Sequence, residues 1–494
     1  MFWIGFDMGS SSIKVALIDA QDGSPVAVVQ QPQREMPITS REPGWGEQDP
    51  ELWWNHLCTA IAQLFQTHNI DQKDIKGIGI SYQMHGLVVV DRHLRPLRPS
   101  IIWCDSRAVD TGERLLQSVG KDRCMGRLLN SPGNFTLSKL KWVQENEPHI
   151  YRDIHKFMLP GDYIAMKLSG ACVTTPSGLS EGILWDFQED GMAIWMLEAA
   201  GIDPDLVPEI RPCFSHQGSV SGAAARETGL PPGIPIMYRA GDQPNNALSL
   251  NVMEPGEIAA TGGTSGVVYA IAGRVDTQEP PRINSFAHTN HSATDPRIGK
   301  LLCVNGAGIQ YSWMKNEIAQ GRSYDQMNQL AEQLPVGSEG LRILPFGNGA
   351  ERMLENADRG SQIRGLNFNR HKAPHLFRAA LEGIAFSFVY GMEILQKEGV
   401  EINAIKAGND NLFRAEIFAG TIATLARTKI EIVETTGAVG AARAAATAHG
   451  DFRDITQATA TDAVEKAHGP SADREPYLQA YHDWKRELER YLDN

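Results

Sequence analysis

The stretch Phe2-Trp-Ile-Gly-Phe-Asp7-Met-Gly9-Ser10-Ser11-Ser12-Ile-Lys14-Val-Ala-Leu-Ile18 decides how the chain is read. Apolar, β-prone residues run up to Asp7, a Gly-Ser turn follows, and a second β-prone run leaves it. That pattern predicts a β-hairpin. Gly9 allows close approach of backbone or ligand. Ser10, Ser11 and Ser12 bring hydroxyl and N–H groups that can line an anion site. Asp7, at a strand end, suits a hydrated Mg2+. Gly-Ser turns are also common in hairpins without chemistry, so the stretch takes its meaning from what surrounds it.

The same plan returns at Glu257-Ile-Ala-Ala-Thr-Gly262-Gly263-Thr264-Ser265-Gly266-Val-Val-Tyr-Ala-Ile271, about 250 residues later. Two such hairpins, each opening one half of the chain, indicate a duplicated domain with a ligand in the cleft between the copies. Between them strands and helices alternate. Asp49-Pro50-Glu51 predicts a helix start, with Asp at the N-cap and Pro in the first turn, carried by Leu52, Trp53, Leu57, Ile61 and Leu64 to about His68. Ile75–Ile80 and Ile234–Ala240 read as strands, and His375–Gln396 as a long helix. Gly437-Ala-Val-Gly440 opens a helix with small residues where backbones must approach. The alternation predicts α/β layers.

With 494 residues the chain exceeds one typical core. Hydrophobic residues at 42%, charged residues at 21% and a net charge of −13 describe an ordinary globular protein and argue against a general nucleic-acid role. The six cysteines are scattered without CxxC spacing, the pattern of reduced thiols in a cytoplasmic protein. No basic region with an apolar core opens the chain, and no apolar run reaches ~18 residues, so no membrane span is expected.

Candidate chemistry gathers at predicted strand ends, where α/β folds place it. Asp242, between Gly241 and Gln243, is set to accept the proton of an attacking hydroxyl, as phosphoryl transfer requires; an Asp there equally caps the following helix. Gln83-Met84-His85-Gly86 offers polar groups beside one apolar wall, suited to a small polyol, although a lone His is often structural. The glycines at 262–266, 306–308 and 408 can bring N–H groups to phosphates. Neither a P-loop nor a Rossmann fingerprint is present.

On these residues the chain resembles the FGGY carbohydrate kinases end to end, and within them the branch acting on D-xylulose. Asp7–Lys14 resembles the first phosphate motif and Gly262-Gly263-Thr264-Ser265-Gly266 the second. Gln83-Met84-His85-Gly86 resembles the ketose-binding motif, Trp103-Cys-Asp105-Ser-Arg107 the family's W-x-D-x-R stretch, and Gly241-Asp242-Gln243 the motif of the catalytic base. The resemblance implies an α/β fold of duplicated actin-like, ribonuclease-H-type ATPase domains with a central cleft. Residues 1–246 would carry the sugar site and the base, and 247–494 the nucleotide site. It implies ATP-dependent phosphorylation of a ketose, with D-xylulose giving D-xylulose 5-phosphate. A kinase for another ketose or polyol, or an actin-like ATPase switch, stands as the alternative.

By the same resemblance Asp242 is the general base, and Met84, His85, Gly86, Trp103, Asp242 and Gln243 meet the sugar. Asp7, Gly9, Ser10, Ser11, Ser12, Lys14, Gly263, Thr264, Gly306, Gln310, Gly408 and Asn411 meet ATP. Mg2+ sits near Asp7 and Asp242 through water. The partners implied are the ketose and ATP alone, with a second copy in a homodimer allowed. Gln243 stands where the branch has Asn, and Lys406-Ala407-Gly408-Asn409 where the family has a Gly triplet, which leaves the sugar and the nucleotide preference open.

Overall fold

The run Phe2–Met8 forms strand β1. It pairs antiparallel with β2 (Ile13–Asp19), and β2 with β3 (Pro25–Gln31). In the computed structural model, which describes residues 1–277, 282–409 and 412–493, the hairpin register sets Asp7 opposite Lys14. Helix α1 (Pro50–His68) begins as its sequence dictates: the Asp49 carboxylate accepts the Glu51 N–H and Pro50 fills the first turn. Such a cap contributes about 1 kcal/mol. Trp53, Trp54, Leu57, Ile61 and Leu64 form its buried face. Strands β4 (Ile75–Tyr82) and β5 (Ile236–Gly241) add in parallel on the other side of β1, giving the order β5-β4-β1-β2-β3. Helix α2 (Asp242–Ser249) leaves β5 directly.

The second half repeats this plan strand for strand. Its strands are β6 (Glu257–Gly262), β7 (Gly266–Ala272), the edge strand β8 (Asn284–Ala287) and β9 (Ile298–Val304), with the pairs β6–β7, β7–β9 and β8–β9 antiparallel. Helices α3 (Gly308–Trp313) and α4 (Ala373–Lys397) follow. Strand β10 (Ala404–Gly408) then runs parallel beside β6, and β11 (Ile430–Val433) parallel beside β10. The core order β9-β7-β6-β10-β11 matches β3-β2-β1-β4-β5, with β8 beyond β9 and β12 (Val464–His468) beyond β11. The paired hairpins expected from the sequence are the first two strands of each sheet.

The halves are interleaved. Helix α5 (Gly437–His449), which follows the last core strand of the second half, lies on the sheet of the first. Its residues Ala438, Ala441, Ala442 and Ala445 share a core with Trp3, Ala16, Tyr238 and Ala240. Contact is at backbone distance: a Cβ on Gly5 would fall 1.9 Å from the Ala438 carbonyl oxygen, and one on Gly79 1.9 Å from that of Ala441. Helix α2 crosses α5 and touches β6 and β7 in return. The first sheet's core thus draws on residues from beyond position 246. In the last helix, α6 (Glu475–Asp493), Trp484 is buried against Phe346 and Phe386, its indole donating to the Ile343 carbonyl at 2.8 Å. Among the described residues no helix is long and apolar enough to cross a membrane, and the six cysteines are unpaired.

Candidate active site

Strands β1, β4 and β5 run parallel, so their C-terminal ends lie on one side of the sheet. This brings together three stretches far apart in sequence: the Ser10–Ser12 turn after β1, Gln83-Met84-His85 after β4, and Asp242-Gln243 after β5. They line one cleft of about 500 Å3, with Asp7, Gly9, Lys14 and Trp103 on its walls. Chemistry at the strand ends is where a parallel sheet leaves backbone and side chains free to face a ligand.

Asp242 opens helix α2. Burial pushes its carboxyl up to about 7, and the negative charge of Asp7 adds to this, against opposing hydrogen bonds from Gln243. Asp7 accepts a hydrogen bond from the buried Ser81 hydroxyl at 3.0 Å. Gly437, the first residue of α5, packs so tightly on Asp7 that a Cβ would stand 2.8 Å from its carboxylate. Each crossing helix therefore starts at one of the two acids, where the helix dipole favours negative charge. Two facing carboxylates in a water-accessible cleft fit Mg2+, which keeps waters and takes few protein oxygens. Among the described residues no group of three or more His, Cys, Asp or Glu is placed to hold a metal.

His85 has a left-handed backbone, with φ of 62°. Its ring lies between Phe135 and Phe286, with centroids at 4.8 and 5.2 Å. Burial, and then the charge of Lys139, pushes the ring pKa down to about 3, so it is neutral. Its Nδ1 is 3.1 Å from the Glu181 carbonyl oxygen. A carbonyl only accepts, so Nδ1 carries the hydrogen and Nε2 keeps a lone pair. Lys139, fully buried, donates to the carbonyls of His85 (2.8 Å) and Ile102 (3.1 Å). It thereby ties the turn to the segment leading to Trp103. The Trp103 indole, 53% exposed, donates to the Ser10 hydroxyl at 3.2 Å and joins the sugar-side stretch to the Ser turn. Arg107 pairs with Asp105 and stacks 3.7 Å from the Trp45 ring, which holds this segment in place.

The β6–β7 turn stands across the cleft. Ser265 faces the cavity with Asp242, while Gly263 and Thr264 line a second one of about 390 Å3 with Gly308, Tyr311 and Tyr324. The turn is the wall between them. A Cβ on Gly308 would stand 2.0 Å from the Gly263 carbonyl oxygen, so only glycine lets α3 approach the turn. The remaining expected contacts lie elsewhere. Gly86 is buried against Pro160 behind the turn, and Gly306 gives its N–H to the Glu351 carboxylate at 2.9 Å. Gln310 is buried in α3, its side-chain oxygen without a hydrogen-bond partner, and Gly408 ends β10 with open space around it. Asn411 lies outside the described residues.

Val267, Asn284, Leu301 and Cys303 of the second half also line the first cavity. They carry no motif. They sit in strands β7, β8 and β9, whose alternation reads as plain sheet, and only packing brings that sheet's edge against His85. Lys139 did leave a signal, a lone lysine between Leu137 and Leu140 on an apolar face.

Comparison with known proteins agrees with this architecture. The models of the FGGY family of carbohydrate kinases match residues 2–249 with the N-terminal domain and 258–449 with the C-terminal domain. The chain is 29% identical over 467 residues to the xylulose kinase of Bacillus subtilis, covering 92% of this chain and 89% of that one. It is 27% identical over 495 residues to the xylulose kinase of Escherichia coli, covering 99% of each. The crystal structure of xylulose kinase from Rhodospirillum rubrum matches with a TM-score of 0.90 at 26% identity over 100% of both chains. The doubled five-stranded order with crossing helices and a central cleft is the actin-like ATPase fold of these kinases. By sequence over nearly all its length, and by fold, the chain belongs to the FGGY family of carbohydrate kinases.

Proposed function

We propose that the protein transfers the γ-phosphoryl group of ATP to D-xylulose, giving D-xylulose 5-phosphate and ADP. The observation that carries this reading is the placement of Asp242 on one cleft between the Gln83-Met84-His85 stretch and the two phosphate-type turns. Met84 supplies an apolar wall, and neutral His85 offers a lone pair to a sugar hydroxyl. Asp242 accepts the proton of the attacking hydroxyl; a carboxyl held near 7 is better matched to that task than one at the ordinary carboxylate value. The hydroxyls of the Ser10–Ser12 turn and Thr264 hydrogen-bond the phosphates, and Lys14 adds positive charge. Mg2+ held through water by Asp7 and Asp242 would supply neutralisation of phosphate charge. The Tyr311–Tyr324 cavity beyond the turn suits the nucleoside. Closing the halves excludes water and limits wasteful hydrolysis.

A related ketose or polyol as acceptor is the second reading, favoured by Gln243 at the residue next to the base. Measuring ADP release with pentuloses, other ketoses and polyols decides between them. The expected result is highest kcat/KM on D-xylulose; sugar-independent rates throughout overturn the kinase reading.

A further inference from the structure

Strand β8 belongs to the second half but is gripped by the first. Asn130, fully buried, accepts the Ser285 N–H at 3.0 Å and donates its own amide hydrogen to the Ser285 carbonyl. Two positions on, the Ser180 hydroxyl accepts the Ala287 N–H at 2.9 Å, and the Ser177 hydroxyl donates to the Ala287 carbonyl at 2.9 Å. These four bonds satisfy the strand edge that β9 leaves open, so β8 is not an exposed edge but a clamped one.

The clamp has a consequence for the opposite residues of the strand. Side chains alternate along β8, so Asn284 and Phe286 share a face. Phe286 packs 5.2 Å from the His85 ring. Asn284 lines the cleft that holds His85 and Asp242. The Asn284 amide oxygen is buried and has no hydrogen-bond partner in the protein. The amide oxygen of Gln83, on the same cleft, is likewise buried and unpartnered. With the lone pair on His85 Nε2, this side of the cleft presents three acceptors. A buried acceptor without a partner in the protein calls for one from outside it, and here the acceptors converge on one cleft. The chemistry they fit is a polyhydroxylated chain that donates several hydrogens.

We propose that Asn284 is a sugar-recognition residue supplied by the second half, its amide taking a hydroxyl of the ketose beside His85. Asn130 is its positioning residue, acting through β8. This inference rests on reading the cleft as the ketose site, and it makes the sugar pocket a product of both halves.

The test pairs enzyme variants with D-xylulose and its monodeoxy analogues, following KM for each sugar and for ATP. Asn284→Ala raises KM for D-xylulose about tenfold and changes KM for ATP less than twofold, the loss of one good hydrogen bond. Against the one analogue lacking the partner hydroxyl, the variant and the wild type differ less than threefold. Asn130→Ala shows the same analogue pattern, and adds little when combined with Asn284→Ala. A KM for D-xylulose unchanged in Asn284→Ala, or a penalty equal across all analogues, overturns the inference while leaving the kinase reading intact. If another sugar of the panel proves to be the substrate, its deoxy analogues take the same place. A wild type inactive on every sugar overturns both. Should Asn130→Ala fail to fold, the Asn284→Ala cycle decides alone.

Discussion

Burial and the neighbouring charge of Asp7 outweigh the hydrogen bonds from Gln243 and disfavour the ionised Asp242, and this sets two expectations. Its carboxyl is held up to about 7, and the base role proposed for it requires the ionised form. At low nucleotide, kcat/KM for the ketose therefore falls with unit slope as pH drops below about that value, and is flat above it. A Mg2+ ion held through water by Asp7 and Asp242, as proposed above, would move the limb to lower pH. Asp242→Asn lowers kcat by about 10²–10⁴-fold, the usual share of a general base; sugar phosphorylation surviving at wild-type rate in that variant rules out the assignment.

The same shift carries a stability cost. The folded pKa lies above the ordinary carboxylate value, so folding disfavours the charged form. The group's contribution is most favourable below the ordinary value and worsens as pH rises through about 7. Asp242→Asn relieves this, and its melting temperature at neutral to mildly alkaline pH exceeds the wild type's by roughly 2 °C or more, the gain shrinking in acid. Scanning calorimetry at two pH values reads it. Asp242 and His85 were legible in the sequence because each follows a strand-like run. What raises one pKa and depresses the other is burial, which no local pattern states.

At the scale of elements, the hairpins and the crossing helices follow different rules. A hairpin is local: β-prone runs around a small-residue turn determine both its existence and its register, and residues 2–18 and 257–271 are therefore readable directly. Helix α5 is local only as a helix. Its alanines and Gly440 announce close packing, but the partner sheet is more than 350 residues upstream, in β1 and β4. The close approach at Gly79 makes this testable. Gly79→Ala places a methyl against the Ala441 carbonyl and costs about 1–3 kcal/mol, as overpacking does. A shifted denaturation midpoint with an unchanged m-value is the expected signature. Stability equal to wild type would mean that α5 is free to move off the sheet.

At the scale of the whole molecule, two cavities share one wall, the turn at Gly263-Thr264. Removing a hydroxyl there affects one side. Thr264→Ala raises KM for ATP about tenfold, as loss of one hydrogen bond to a charged group does, and leaves KM for the ketose within twofold. Equal changes in both constants would show that the turn organises the cleft as a whole and not the phosphates. Asn284 gives the converse expectation, with the sugar affected and the nucleotide spared. The two variants together separate the sides of a cleft that neither half builds alone.

The α/β class, the duplicated hairpins, the helix starts, and the stretches bearing Asp7, His85 and Asp242 can all be read along the chain. All of these depend on interactions within a few residues along the chain: strand alternation, turn chemistry and caps. Tertiary packing adds that α5 covers the other half's sheet, that Gly86 lies against Pro160 and Gly306 against Pro345, and that Asn284 and His85 line one cleft. Those outcomes rest on contacts between residues hundreds of positions apart, chosen by shape, burial and the need to satisfy a strand edge. A strand looks the same in sequence whether its free edge meets water, another half of the protein or a sugar.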